Sequence, residues 1–279
     1  MFSPYYARAQ RRGAGDPLAH TALNVSLDGA APRWTMTERP AGALLRDAAQ
    51  LAIGSSRVHW DGRQMHWHLD ERCAPLPRRV RGLVSVRPQL LPARRFALDP
   101  DGAHWWRPLA PRARVRVRLV EPALHWEGDA YLDCNWGARP PGDDFHGWHW
   151  SRAPVGDGAR VYYEVQDRRA SCAPLALQFD PAGATWQAPL LPEARLPRSG
   201  WGIARRTRSE LPAGARIVRT LVDAPFYART RAEVQLAGQR VPLVHERLDL
   251  DRLAMPVVQW MLPFRMPRWP AKARPAGGA

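Results

Sequence analysis

Lysine is all but missing from this 279-residue chain: of 41 Lys and Arg residues only Lys272 is lysine. Cysteine is scarce as well. Cys73, Cys134 and Cys172 are odd in number, far apart and without a C-x-x-C pair, which points away from a disulfide framework or a cysteine zinc site and fits a reducing cytoplasm. Long apolar runs are absent. The longest uncharged stretch, residues 253–264, is 12 residues and contains Pro256 and Pro263, well short of the ~20 needed to span a bilayer. The first residues show no charged region followed by an apolar run, so they do not read as a secretory signal. There is no glycine-rich phosphate loop, no G-x-S-x-G elbow and no Rossmann fingerprint. Nucleotide-dependent chemistry therefore has nothing to rest on. Zinc-finger, helix-turn-helix and RNP patterns are missing too, which argues against a nucleic-acid partner.

What is present is an ordinary globular composition, 45% hydrophobic and 24% charged, with enough apolar residues for a sizeable core. The 41 basic residues against 26 acidic ones leave +15. Arginine is spread from Arg8 to Arg274 in a chain also rich in Ala and Pro, which reads as compositional bias as much as a binding surface. Attraction to an anionic membrane explains the excess at least as well as nucleic acid does. The expected setting is cytoplasmic, with peripheral attachment to the membrane.

Twenty-eight Pro and 21 Gly interrupt the chain so often that short strands and turns are expected rather than long helices. Strand-like runs fall at 21–27, at 57–60 and 65–69 across an Asp61-Gly62 turn, and at 80–87. Residues 114–120 are the cleanest period-two segment. Val115, Val117 and Leu119 alternate with Arg114, Arg116 and Arg118, so one face is apolar and the other a solvated cationic row. Residues 124–126 and 130–135 flank Glu127-Gly128-Asp129 and read as a hairpin. The turn-rich stretch 154–158 reads as a domain boundary, followed by runs at 160–165, 175–179, 202–210, 215–221 and 227–236. A short helix interrupted at Pro256 is expected within 248–261, and a frayed tail after Arg268. The predicted class is all-β, with two antiparallel halves, 1–153 carrying the chemistry and 154–279.

Chemistry concentrates between 104 and 150. These 47 of 279 residues hold six of the 13 Trp (105, 106, 126, 136, 148, 150) and four of the nine His (104, 125, 146, 149), together with Asn135. A packed aromatic interior is one explanation. The other starts from two pairs at i, i+2 spacing, which on a strand share a face: His104 with Trp106, and Tyr131 with Asp133. Turned inward, they would put an imidazole, an indole, a phenol and a carboxyl in one apolar space. A buried carboxyl keeps its proton and serves as an acid. Aromatic faces stabilise a cation, and a neutral His accepts a proton from water. Those are the parts needed to hydrate an electron-rich alkene. The bland alternative makes Asp133 a surface turn residue and His104 a satisfied core or loop histidine. His66 and His68, with His59, look like a strand-borne metal pair but lack a third and fourth ligand, so no metal is expected. Asp143 and Asp144 read as polar loop, and His245-Glu246 as structural.

Several ordered blocks add a resemblance. Phe2-Ser-Pro-Tyr-Tyr, Ala22-Leu-Asn-Val, Met36-Thr-Glu-Arg39, Pro75-Leu-Pro-Arg-Arg-Val-Arg-Gly82, His104-Trp-Trp-Arg-Pro-Leu-Ala-Pro111, Tyr131-Leu-Asp-Cys-Asn-Trp-Gly137, Trp148-His-Trp-Ser-Arg-Ala153 and Met261-Leu-Pro-Phe-Arg-Met-Pro-Arg268 are similar to the carotenoid 1,2-hydratase (hydroxyneurosporene synthase) family over essentially the whole chain. The resemblance implies a cofactor-free hydro-lyase of acyclic carotenoid biosynthesis in phototrophic bacteria. It would add water to the 1,2 double bond of a neurosporene- or lycopene-type end group. Two lipocalin-like barrel halves are implied as well. The family's His-x-Trp and Tyr-x-Asp elements fall on His104, Trp106, Tyr131 and Asp133. In that reading Asp133 donates the proton, Trp106 and Tyr131 flank the cation, and His104 orients and deprotonates water. Asn135, Trp105, Trp136, Trp148, His149 and Trp150 line the substrate or support the site. Carotenoid and water are the expected partners. A non-catalytic lipocalin-type carrier of a carotenoid or other isoprenoid shares the barrel and the aromatics without needing the acid.

Overall fold

Alternation in the sequence becomes alternation in burial along the strand His104–Glu121: Val115, Val117 and Leu119 are buried, while Arg114, Arg116 and Arg118 face solvent. The computed structural model describes residues 3–269; the tail expected to fray beyond that point, and Phe2 of the first shared block, lie outside the described residues. The arginine row is matched across the adjacent strand, with Arg114 bonded to Asp129 at 2.8 Å and Arg116 to Glu127 at 2.5 Å. Each such exposed pair contributes less than about 1 kcal/mol, so the row is a wet sheet face.

These pairings also revise one expectation. Glu127-Gly128-Asp129 is not a turn: Ala123–Gly137 is a single strand. The two acidic side chains lie along the arginine row and Gly128 runs through the strand. The reversal sits at Pro122, where a proline that cannot donate to a ladder ends the pairing.

The fold is all-β. An eight-stranded sheet runs in the order Ala123–Gly137, His104–Glu121, Arg79–Pro88, Met65–Arg72, Ser56–Trp60, Gln50–Ile53, Leu44–Arg46, with Phe96–Ala97 paired to His104–Glu121. A seven-stranded sheet runs Thr185–Gln187, Leu175–Phe179, Gly158–Asp167, Phe145–Val155, Gln239–Asp249, Tyr227–Leu236, Arg216–Asp223. Two-stranded sheets join Thr21–Leu27 to Arg33–Arg39 and Glu193–Leu196 to Arg205–Arg208. Among the described residues neither long path returns to its first strand, so the sheets are open where closed barrels were expected. At the edges of the seven-stranded sheet, Thr185–Gln187 has three residues and Arg216–Asp223 shifts register twice against its neighbour.

Two compact units interleave along the chain. One takes Met1–Pro88, Arg114–Ala130 and Gln259–Ala279; the other takes Gln89–Ala113 and Tyr131–Val258. The expected boundary at 154–158 is instead a hairpin turn inside the seven-stranded sheet, with Val155 opposite Gly158, and the halves 1–153 and 154–279 do not separate there. Turn chemistry was read correctly, but the strands on either side of it pair with each other. In the second unit Tyr162, Leu196, Val234, Leu236 and Leu243 form a buried cluster. In the first, the buried Glu38 carboxylate accepts from Ser3 and Arg268 and lies 2.8 Å from His20 Nδ1, and the backbone N–H of Glu38 donates to Pro267 at 2.9 Å. The helix expected near the C-terminus is two helices. Leu250–Ala254 is capped by Asp249, which accepts from Arg252 N–H at 2.9 Å, and Pro256–Arg265 starts at the proline.

One glycine is set by close backbone approach. Gly82, at φ 146°, would place a Cβ 2.4 Å from the Arg118 carbonyl oxygen and 2.6 Å from Leu119 Cα. Neither atom can swing away. Gly82→Ala is expected to destabilise the protein by ~1–3 kcal/mol, read as a lower urea midpoint; an unchanged midpoint would contradict this packing.

Candidate active site

Strand periodicity brings three of the predicted residues together in the second unit. Trp106 is fully buried on the inward face of His104–Glu121, and its indole Nε1 donates to Asp133 Oδ2 at 2.8 Å. Tyr131, two residues before Asp133 on the neighbouring strand and hence on the same face, donates its hydroxyl to the same Oδ2 at 3.0 Å. One carboxylate oxygen thus takes two neutral donors. Asn135 continues this face, its Oδ1 accepting from the Tyr163 hydroxyl at 3.2 Å.

Rings surround the group. Tyr163 meets Trp106 edge-on at 5.4 Å between centroids and Trp148 at 6.2 Å, Trp150 lies 5.0 Å from Tyr131, and Phe96 lies 5.6 Å from Trp106. The Arg152 guanidinium stands over Tyr131 at 5.7 Å. Burial in this frame pushes the Asp133 carboxyl above the ordinary carboxylate range, against the two hydrogen bonds that favour its anion. The negative charge of Glu246 adds to the rise and Arg229 opposes it. The Tyr131 phenol is pushed well up by burial and then by Asp133, and Tyr163 by burial likewise, so both remain neutral donors.

His104 shares the buried face with Trp106 but not its partner. Its Nε2 lies 2.7 Å from Asp144 Oδ2. Asp144 also accepts from Arg139 Nε at 2.5 Å and lies 3.1 Å from Arg169. The Arg139 bond, more than any other cause, holds Asp144 down to about 2. Because Asp144 is then an acceptor only, Nε2 of His104 is the protonated nitrogen. On the other side Gly137 crowds the ring, so closely that a Cβ there would stand 2.5 Å from Nδ1. Among the described residues no hydrogen bond joins His104 to Asp133 or Tyr131. His104 is thus bonded to Asp144 rather than to Asp133, and Asp144, expected in a polar loop, is buried.

The remaining sequence candidates divide by strand face. Trp148 and Trp150 face the acid's aromatic frame. His149, between them, points the opposite way and packs on His245, Nδ1 to Nε2 3.4 Å; burial pushes His149 well below the ordinary imidazole range and His245 to about 3. Trp105 donates to the Gly102 carbonyl at 2.7 Å and stacks on the half-exposed Trp136 at 6.5 Å, away from Asp133. His59 stacks on His66 and His68, and His66 is held by Asp61 and Ser85. Sequence reading missed Tyr163, Tyr227, Arg229 and Glu246. Tyr227-x-Arg229 carries the same i, i+2 signal as the two pairs that were noticed, and Glu246 was taken as structural.

The model of the carotenoid hydratase family CrtC matches residues 1–274. The acyclic carotenoid 1,2-hydratase of Thiocapsa roseopersicina is 50% identical over 270 residues, covering 96% of this chain and 67% of that protein. That of Rubrivivax gelatinosus is 42% identical over 272 residues, covering 96% and 67%. That of Cereibacter sphaeroides is 37% identical over 271 residues, covering 97% and 96%.

The Asp144 cluster sets an acid limit on stability. A carboxyl depressed in the folded state stabilises fully above its unfolded value of about 4, and that contribution is lost as pH falls through about 2. Asp144→Asn is expected to lower stability at neutral pH and to flatten its decline across that window in urea titrations. Identical pH slopes for variant and wild type would rule the cluster out as a stabilising element.

Proposed function

The chain belongs to the carotenoid hydratase family CrtC, and from that footing we propose that it adds water across the 1,2 double bond of an acyclic carotenoid end group. The observation that carries the mechanism is the Asp133 carboxyl, buried among rings with Trp106 and Tyr131 both bonded to Oδ2. Those two donors fix the orientation of the group, and burial shifts it toward its protonated, proton-donating form.

Proton transfer from Asp133 to C2 of the trisubstituted alkene leaves the positive charge on tertiary C1. Regiochemistry then follows from the substrate and needs no electrophilic metal or cofactor. The faces of Trp106, Tyr131 and Trp150 are suited to the cation, at about 2 kcal/mol or more each when desolvated. Water attacks C1 and loses a proton, giving a tertiary alcohol. His104 is a positioning residue in this reading, because its Nε2 is committed to Asp144. Asn135 holds Tyr163 beside Trp106.

The substrate dissolves in membranes, and the same proposal has the enzyme meet an anionic bilayer from the cytoplasmic side. The +15 charge supports this, as do the exposed Trp260 and Phe264. Among the described residues no helix is long and apolar enough to cross a membrane. A lipocalin-like role for the antiparallel sheets, holding a long apolar ligand, belongs to the same reading.

Purified protein incubated with a lycopene-type substrate is expected to yield a product heavier by one water. Asp133→Asn should bind substrate yet lose at least about 10²–10⁴-fold in rate. Since the protonated acid is the active form, the wild-type rate should fall as pH rises through the elevated Asp133 value. Substrate binding without mass gain by the wild type would support the carrier instead, and near-normal hydration by Asp133→Asn would remove the assigned acid.

A further inference from the structure

An acid that protonates C2 leaves a second proton to be accounted for, the one released when water attacks C1. His104, the residue expected to receive it, donates to Asp144 instead. Another carboxylate lies on the face that surrounds Asp133. Trp150 stands directly opposite Tyr163 on one side and Glu246 on the other, and Glu246 directly opposite Arg229, so these four side chains form one row across four strands. The row meets the acid through Tyr131, whose ring packs on Trp150 at 5.0 Å and whose hydroxyl is bonded to Asp133.

Glu246 is held in place. Arg229 reaches its Oε1 from Nε at 2.8 Å and from Nη2 at 2.7 Å, and the Tyr227 phenol is bonded to the same ion pair. A carboxylate has about four acceptor positions, so the two arginine bonds and one phenol leave room for a water. Water can reach it: the Glu246 side chain is 21% exposed and Arg229 41%. The charge of Glu246 is also felt at Asp133, Tyr131 and Tyr163, which ties it to the same frame of groups.

Resting on the hydration reading above, we infer that Glu246, clamped by Arg229, takes the proton of the attacking water and forms an acid–base carboxylate pair with Asp133. The steps balance. The Asp133 O–H bond breaks as the alkene electron pair forms the C2–H bond, leaving C1 cationic. The water oxygen bonds to C1, one of its O–H bonds breaks, and that proton goes to Glu246. Asp133, now a carboxylate, recovers a proton from protonated Glu246 through solvent. The sum is alkene plus water giving a tertiary alcohol. Neither step requires His104.

The test compares wild type, Glu246→Gln, Glu246→Asp and Asp133→Asn in deuterated water with a lycopene-type substrate, checking folding by circular dichroism and substrate binding by absorbance. Glu246→Gln should hydrate about 10²–10⁴-fold more slowly, while the recovered alkene gains deuterium, because the acid still forms a cation that reverts by losing a proton. Glu246→Asp keeps the charge at shorter reach and should regain part of the hydration. Asp133→Asn should neither hydrate nor label. The inference is overturned if Glu246→Gln hydrates within about threefold of wild type. It is also overturned if a folded, substrate-binding Glu246→Gln neither hydrates nor labels, since Glu246 would then serve the acid step. If Glu246→Gln does not fold, Glu246→Asp decides: slowed hydration with retained labelling supports the base role, and an undiminished rate overturns it. Hydration by Asp133→Asn would bring down the reading beneath, independently of Glu246.

Discussion

Two hydrogen bonds to one oxygen of a buried carboxyl hold the site together. Asp133 Oδ2 takes the indole N–H of Trp106 and the hydroxyl of Tyr131, and among the described residues no ion pair is made to it. Desolvation therefore decides the protonation state. An ion-paired carboxylate, such as Asp144 with Arg139, is driven the other way. The same residue type is pushed in opposite directions about ten residues apart because one is surrounded by rings and the other by guanidinium groups. Burying an acid in this way costs stability, and such a cost is characteristic of a site kept for chemistry rather than for folding.

Two long strands, His104–Glu121 and Ala123–Gly137, reverse at Pro122 and run side by side, and Trp106, Tyr131 and Asp133 on them are within hydrogen-bonding reach. The seven-stranded sheet supplies Trp148, Trp150 and Tyr163 from one face, while His149 and His245 fill the other as neutral imidazoles. His104 anchors the start of its strand to the buried Asp144, with Asp99 accepting from the His104 backbone N–H at 2.7 Å. A carboxyl fixed in this way is what the proposed proton delivery to one end-group carbon requires.

Local patterns were legible in the sequence and long-range partnerships were not. The alternation from Arg114 to Val120 and the i, i+2 spacing of Tyr131 and Asp133 depend only on strand geometry, and the structure follows both. The resemblance to the carotenoid hydratases also held at the level of family. Glu127-Gly128-Asp129 misled because turn-forming residues become strand residues when a facing arginine row pairs their charges. Residues 154–158 do form a turn, but whether a turn separates domains or closes a hairpin depends on which strands pair. His104 carried the spacing but not its bond to Asp144, since a face fixes direction but not the bond made at its end. Glu246 and Arg229 lie about 100 residues from Asp133, and only the sheet register brings them alongside Trp150.

The central claim is that Asp133 carries a proton in the folded protein near neutral pH. Infrared spectroscopy of protein labelled with ¹³C-carboxyl aspartate, compared with the same labelled preparation of Asp133→Asn, reads this without substrate. The account predicts a carboxylic-acid carbonyl band at neutral pH that is absent from the variant and shifts in deuterated water. A carboxylate signal for Asp133 under the same conditions, with no acid band lost in the variant, would contradict it.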